Sequence, residues 1–170
     1  MKSLFVSVTT ALATGLFASP ALSETEVLAR SGNWEAFGGT TDTGRPVCGI
    51  SAEIEGRYFG LKLFSGNDTF TVQMGTSEWK LDDGTEIGLA MHYDANSPWR
   101  ATGTVMHFSD GDAGLEFRIN RDELERFQEE FRTGSELQIK FMDVLPNWQL
   151  SLQGAGELDG AFQTCIKNLP

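Results

Sequence analysis

The sequence predicts a mainly β protein: an antiparallel β-sandwich or partial barrel with two short helices, one before the last two strands and one C-terminal. Three observations predict it. Apolar and polar residues alternate with a period of two from Asn33 to Ile119. Clusters of Gly, Asn and Asp punctuate the alternation, and at Asn120 the period becomes that of a helix. Successive strand side chains point to opposite faces, so a sheet with one face on a core reads as apolar-in, polar-out.

The strands follow in order. Cys48, Ile50, Ala52 and Ile54 alternate with Gly49, Ser51, Glu53 and Glu55. Phe59, Leu61 and Leu63 alternate with Tyr58, Gly60 and Lys62, and Phe70, Val72 and Met74 with Thr69, Thr71 and Gln73. Ile87, Leu89 and Met91 make the next inner face. Trp99, Ala101, Gly103, Val105 and His107 form one face of a longer strand, and Leu115, Phe117 and Ile119 follow. On this parity His107 is expected to be half-buried. Ser65-Gly66-Asn67-Asp68, Asp82-Asp83-Gly84 and Asp110-Gly111-Asp112-Ala113-Gly114 have the composition of hairpin turns. Asn67-Asp68-Thr69 also matches a glycosylation sequon, which a hairpin tip explains without a glycan.

Asn120 is placed as the N-cap of a first helix, with Glu123 at the capping-box position. Leu124, Phe127 and Phe131 make its apolar stripe, and Gly134 stands where a helix-ending glycine is expected. Leu137, Ile139 and Phe141, then Trp148, Leu150 and Leu152, give two more strands around a turn at Leu145-Pro146-Asn147. Leu158, Phe162, Cys165, Ile166 and Leu169 fall on one side of a terminal helix, which turns Cys165 inward.

Ahead of this single domain, expected over residues 24–170, residues 1–23 read as a secretory signal peptide. Lys2 supplies the positive start, Leu4–Phe17 the apolar stretch, and Ala21 and Ser23 the small residues of a cleavage site. Cleavage after Ser23 is the first choice and after Ala21 the alternative. The apolar stretch, broken by Ser7, Thr9, Thr10 and Thr14, is shorter than the roughly 20 residues of a membrane span. Export carries a redox consequence. The chain has two cysteines, and in an oxidising compartment Cys48 and Cys165 read as one disulfide. A bridge closing a loop of more than about 100 residues contributes at most on the order of 4–5 kcal/mol in the chain-entropy account.

The chain carries 13 Lys and Arg against 24 Asp and Glu, a formal net charge of −11. That balance argues against nucleic acid and anionic lipid as partners and favours a cationic protein or plain solubility.

Phe131-Arg132-Thr133-Gly134-Ser135-Glu136-Leu137, then Trp148-Gln149-Leu150-Ser151-Leu152-Gln153-Gly154, then Ala161-Phe162-Gln163-Thr164-Cys165 form the most specific pattern in the chain. With the Gly32-Asn33-Trp34 opening followed by Cys48, this resembles the invasion-associated locus B family of small exported bacterial proteins. The resemblance touches both ends of the domain, while residues 55–115 match by alternation only. It implies export, a β-rich fold with one disulfide, and an envelope or host-contact role. It implies no reaction and carries over no catalytic residue.

The search for chemistry agrees with a non-enzymatic protein. His92 and His107, the two histidines, lack partners at metal-ligand spacing. Asp110-Gly111-Asp112 begins like a calcium loop but lacks the further ligands of an EF-hand. No G-x-S-x-G motif or glycine-rich phosphate loop is present, and carboxylate pairs for glycan chemistry are too abundant to single out. No metal or cofactor is therefore expected. Trp148 shares parity with core residues; Trp79 and Trp99 are the tryptophans offered as an exposed pair, although packing in a core or rim is the commoner fate of the residue. The remaining candidate surface is acidic: Asp122, Glu125, Glu129 and Glu130 on the first helix, away from its stripe, and Asp82 and Asp83 in their turn. A dock for a basic partner is the sharper reading of it, beside a solvated face. The function expected is an exported binding or interaction module. The alternatives are an inhibitor of a secreted lysozyme or protease and an enzyme acting on glycans or lipids.

Overall fold

A computed structural model describes residues 24–108, 110–142 and 145–170. The leader expected at residues 1–23 lies outside the described residues. Ten strands form one antiparallel sheet: β1 (Glu24–Ser31), β2 (Trp34–Thr40), β3 (Pro46–Ile54), β4 (Arg57–Phe64), β5 (Thr69–Gly75), β6 (Glu86–Tyr93), β7 (Trp99–His107), β8 (Ala113–Asn120), β9 (Glu136–Phe141) and β10 (Trp148–Ser151). Their spatial order is β1-β2-β3-β4-β5-β8-β7-β6-β9-β10, open between β1 and β10. Helix α1 (Leu124–Thr133) links β8 to β9, and α2 (Asp159–Lys167) follows β10 after a 3-10 turn at Ala155–Leu158. The mainly β architecture with two short helices is as the periodicities predict.

Alternation sets the core. Ile50 of β3, Phe59 and Leu61 of β4, Val72 of β5, Leu89 of β6, Leu115 of β8 and Leu137 of β9 all point inward and are buried. The two helices pack over the inner face of β3 and β4. Phe131 of α1 and Phe162 of α2 meet Ile50 and Leu61 around a small internal gap. Each fully buried phenylalanine contributes about 1.5–3 kcal/mol relative to exposure. The disulfide between Cys48 on β3 and Cys165 on α2, with 5.9 Å between their Cα atoms, ties the second helix to the sheet.

The open seam is closed by contacts rather than by a strand ladder. Trp34 Nε1 donates to the Ser151 carbonyl at 2.9 Å. Gly32 and Gly154 have left-handed backbones, with φ of 59° and 90°. A Cβ on Gly32 would lie 2.8 Å from the Gln153 carbonyl oxygen, and one on Gly154 would lie 2.7 Å from that of Ser31. Both positions thus demand glycine on two grounds, conformation and space.

Several local expectations are corrected. Strand β1 has no clean alternation and was not among the strands anticipated. It is an edge strand with a register shift between Val27 and Ala29, and Val27 and Leu28 are exposed. Asn120 makes no side-chain cap; it precedes a 3-10 turn at Arg121–Glu123. Gly134 is extended, at φ −69° and ψ 154°, so it ends α1 without a left-handed turn. A Cβ there would stand 2.7 Å from the Glu130 carbonyl oxygen. Asp82-Asp83-Gly84 is not a hairpin tip, because β5 pairs with β8 and β6 with β7; the segment lies in the crossing between β5 and β6. His107 is exposed.

The two tryptophans offered as a surface pair are buried, at 5% exposure for Trp79 and 8% for Trp99. Trp79 stacks on Trp148 at 4.9 Å between centroids and meets the Phe141 ring edge-on at 5.5 Å. Trp99 packs on Phe127 at 5.5 Å, and the Arg126 guanidinium covers its ring at 4.2 Å. Large aromatic faces gain more from packing against one another than from contact with water.

Candidate interaction surface

The acidic residues singled out in the sequence fall into two separate regions. On α1, Glu130 accepts the Trp99 indole N–H at 2.6 Å and Arg126 Nε at 2.9 Å. Glu129 pairs with Arg132. Glu129 and Glu130 therefore serve the helix and its contact with the sheet, while Glu125 of α1 and Asp122 of the preceding 3-10 turn remain exposed.

The second region is built by topology. Antiparallel pairing carries the β3–β4 turn, the β5–β6 crossing and the β7–β8 hairpin to one end of the sheet. Glu53 at the end of β3, Asp82 and Asp83 in the β5–β6 crossing, and Asp110 and Asp112 before β8 arrive there together. Asp83 faces His107 at 3.7 Å. Asp110 Oδ1 accepts the Asp112 backbone N–H at 3.0 Å, which braces the hairpin. Among the described residues, no ion pair engages Glu53, Asp82, Asp110 or Asp112.

Register places an aromatic groove beside these acids, on the outer face of the sheet. Glu53 lies opposite Tyr58, Tyr58 opposite Gly75, and Gly75 opposite Gly114. The next row runs Glu35, Ser51, Gly60, Gln73, Glu116. The glycines are needed for room. A Cβ on Gly60 would lie 2.3 Å from the Tyr58 hydroxyl, and one on Gly75 or Gly114 would lie 2.5 or 2.6 Å from the Phe108 ring. The two rings thus lie down on the sheet and meet edge to face, 5.6 Å apart. The groove they border is about 370 Å³, with Glu53, Asp110 and Asp112 on its rim and Lys62 in its wall.

Lys62 donates to Gln73 Oε1 at 2.7 Å, and Gln73 Nε2 donates to Glu116 at 2.8 Å. Burial lowers the Lys62 pKa, and the Glu116 carboxylate opposes that shift. Its ammonium also stands 5.7 Å from the Tyr58 ring centroid. Burial, with the charge of Glu35 adding to it, pushes the Tyr58 phenol up to about 12, against a hydrogen bond from Ser51 that lowers it. Outer-face Thr71 and Gln73 are themselves buried beneath this layer of long side chains.

Two other hollows are larger. One of about 720 Å³ lies beside the seam, where Arg132, Ser151, Gln153 and Glu157 line it. Its charged groups are already engaged, Glu157 by Ser31 and Arg132 by Glu129. The other, about 640 Å³, runs between Leu28 of the edge strand and Leu169 after α2, past the disulfide. Among the described residues no group of three His, Cys, Asp or Glu is arranged to hold a metal ion. No helix among them is long and apolar enough to cross a membrane.

Sequence reasoning found Asp82 and Asp83 but missed the groove. Asp110 and Asp112 were visible as a turn, and Tyr58 and Lys62 as the outward side of one alternating strand, while Phe108 gave no signal. Only the strand order joins them.

Neither a family model nor a curated protein matches this sequence. A crystal structure of invasion-associated protein B from Bartonella henselae is similar in fold, with a TM-score of 0.56 and 12% identity over 85% of this chain and 98% of that one. The motifs read from the sequence sit at structural joints: Gly32 meets Gln153 and Trp34 meets Ser151 across the seam, Gly154 packs on Ser31, and Cys165 joins α2 to β3. With those joints and that neighbour together, the chain has the fold of invasion-associated protein B.

Proposed function

We propose that this chain is an exported, non-enzymatic interaction protein, formed by a single domain over residues 24–170 behind a cleaved leader, and that its partner is a cationic protein. The observation that carries the reading is the turn end of the sheet. The end of β3 and the β7–β8 hairpin, distant in sequence, bring together carboxylates that the fold does not use in ion pairs, next to two aromatic rings laid flat on glycines. Charges engaged in folding are normally ion-paired; carboxylates held at one place without an internal cation suit an external one. The net charge of −11 adds long-range attraction for a basic protein. A disulfide between distant elements suits an oxidising compartment outside the cytoplasm. The fold neighbour is described as an invasion-associated protein, which is in keeping with an envelope or host-contact role.

Retention on the immobilised protein from envelope and host extracts tests the reading. A specific protein should be held at low salt and released as ionic strength rises. Failure to retain any protein across such extracts would overturn it.

A further inference from the structure

Resting on the interaction reading, the geometry points to the groove between Tyr58 and Phe108 as a socket for an arginine side chain of the partner. Its volume, about 370 Å³, lies at the low end of ligand pockets, roughly 300–1,000 Å³, and suits an inserted side chain rather than a broad flat contact. Its walls supply what a guanidinium needs. Planar cations stack on aromatic faces, and the Tyr58 ring already has one cationic neighbour, Lys62, on it. Asp110 and Asp112 come from the β7–β8 hairpin and Glu53 from the end of β3, so carboxylates from two separate parts of the sheet border the groove. A forked guanidinium can bond carboxylates in two directions at once, whereas an ammonium acts as a point charge.

Lys62 does not cancel this preference. Its ammonium is directed to Gln73, and Glu116 closes the chain behind it. Three rim carboxylates therefore stand against one cation that is already partnered. The other acidic region makes the contrast: on α1 the guanidinium of Arg126 already occupies the ring of Trp99, with Glu130 as its carboxylate. The fold thus shows, filled from within, how a ring and a carboxylate together hold a guanidinium; the groove presents rings and carboxylates without one.

The test is binding of fluorescent oligo-arginine and oligo-lysine peptides of equal length to the purified chain, followed by anisotropy. The arginine peptide should bind at least threefold tighter than the lysine peptide. Asp110→Asn with Asp112→Asn should weaken it tenfold or more, and Tyr58→Leu at least fivefold with the fold intact by circular dichroism. Asp122→Asn with Glu125→Gln, at the start of the helical region, should change it less than twofold. Equal affinity for the two peptides, equal losses from the two double variants, or no binding at all would overturn the assignment. If a salt-released partner is still retained from extracts when the arginine peptide fails, the socket falls and the interaction reading stands.

Discussion

The two acidic regions look alike in sequence and differ in what their charges do. On α1, Glu129 and Glu130 are held by Arg132 and Arg126, and Glu130 also takes the Trp99 indole N–H. At the turn end, Glu53, Asp110 and Asp112 border an open groove. Both lie on an acidic chain, yet one set secures a helix to the sheet and the other faces outward. Charge composition alone does not separate these roles; the arginine three or four residues away on the same helix does.

The sharpest way to break the comparison is at the α1 contact. Trp99→Ala should lower stability by about 3–5 kcal/mol, the usual range for emptying a buried tryptophan site, read from urea denaturation. Glu130→Ala should cost about 1.5–3 kcal/mol, because it removes the charged acceptor of a largely buried indole N–H. The same measurement on Asp110→Asn with Asp112→Asn should stay within about 0.5 kcal/mol of the parent, because neither carboxylate is ion-paired and an asparagine oxygen at position 110 still accepts the N–H of position 112. A large loss there would make the turn end structural after all.

The two tyrosines sharpen the comparison by titration. Tyr58 borders the groove, while Tyr93 is fully buried against Phe127 and Phe131 beneath α1. Burial raises both phenols, Tyr58 to about 12 and Tyr93 well above its ordinary value, where the nearby Glu130 charge adds to it. Native protein should therefore show little tyrosinate absorbance at pH 10, where free phenols are half ionised. The first signal should come from Tyr58 and vanish in Tyr58→Phe. The sign of the linkage follows. Unfolded phenols ionise near 10, so these groups stabilise the fold fully below pH 10, and Tyr58's share is lost as the pH rises through about 12. Equal, ordinary titration of both tyrosines would contradict the packing.

The smallest effect concerns Asp94, after β6. It accepts the backbone N–H groups of Ser135 and Glu136 at 3.0 Å each and the Ser135 hydroxyl at 2.7 Å. The Ser135 backbone bond leads in lowering its pKa below the ordinary 3.8. A lowered folded value gives stability that is present above about pH 4 and lost as the pH falls through the folded value. Asp94→Asn should therefore be slightly less stable at pH 7, with the gap to the parent closing on acidification. A gap that persisted at pH 2 would place the cause elsewhere.

Much of the fold was legible because most strands have one wet face, and the alternation from Cys48 to Ile119 records it. Strand β1 was not, because an edge strand with exposed Val27 and Leu28 and a bulge has little pattern to show. The bridge was legible from count and compartment. The groove was not, since Tyr58, Phe108 and Asp112 meet only when β5 skips β6 to pair with β8. A non-local pairing leaves no trace in the spacing of neighbouring residues. Trp99 misled for the same reason: the arginine and phenylalanine that cover it come from α1.

The cross-link also orders events during synthesis. Its two sulfurs are 117 residues apart, so Cys48 must wait as a thiol while most of the sheet is translated. A nascent chain halted before α2 has no intramolecular mate for it and is open to mispairing with other molecules. The pair therefore cannot close until the segment that forms the last helix has emerged.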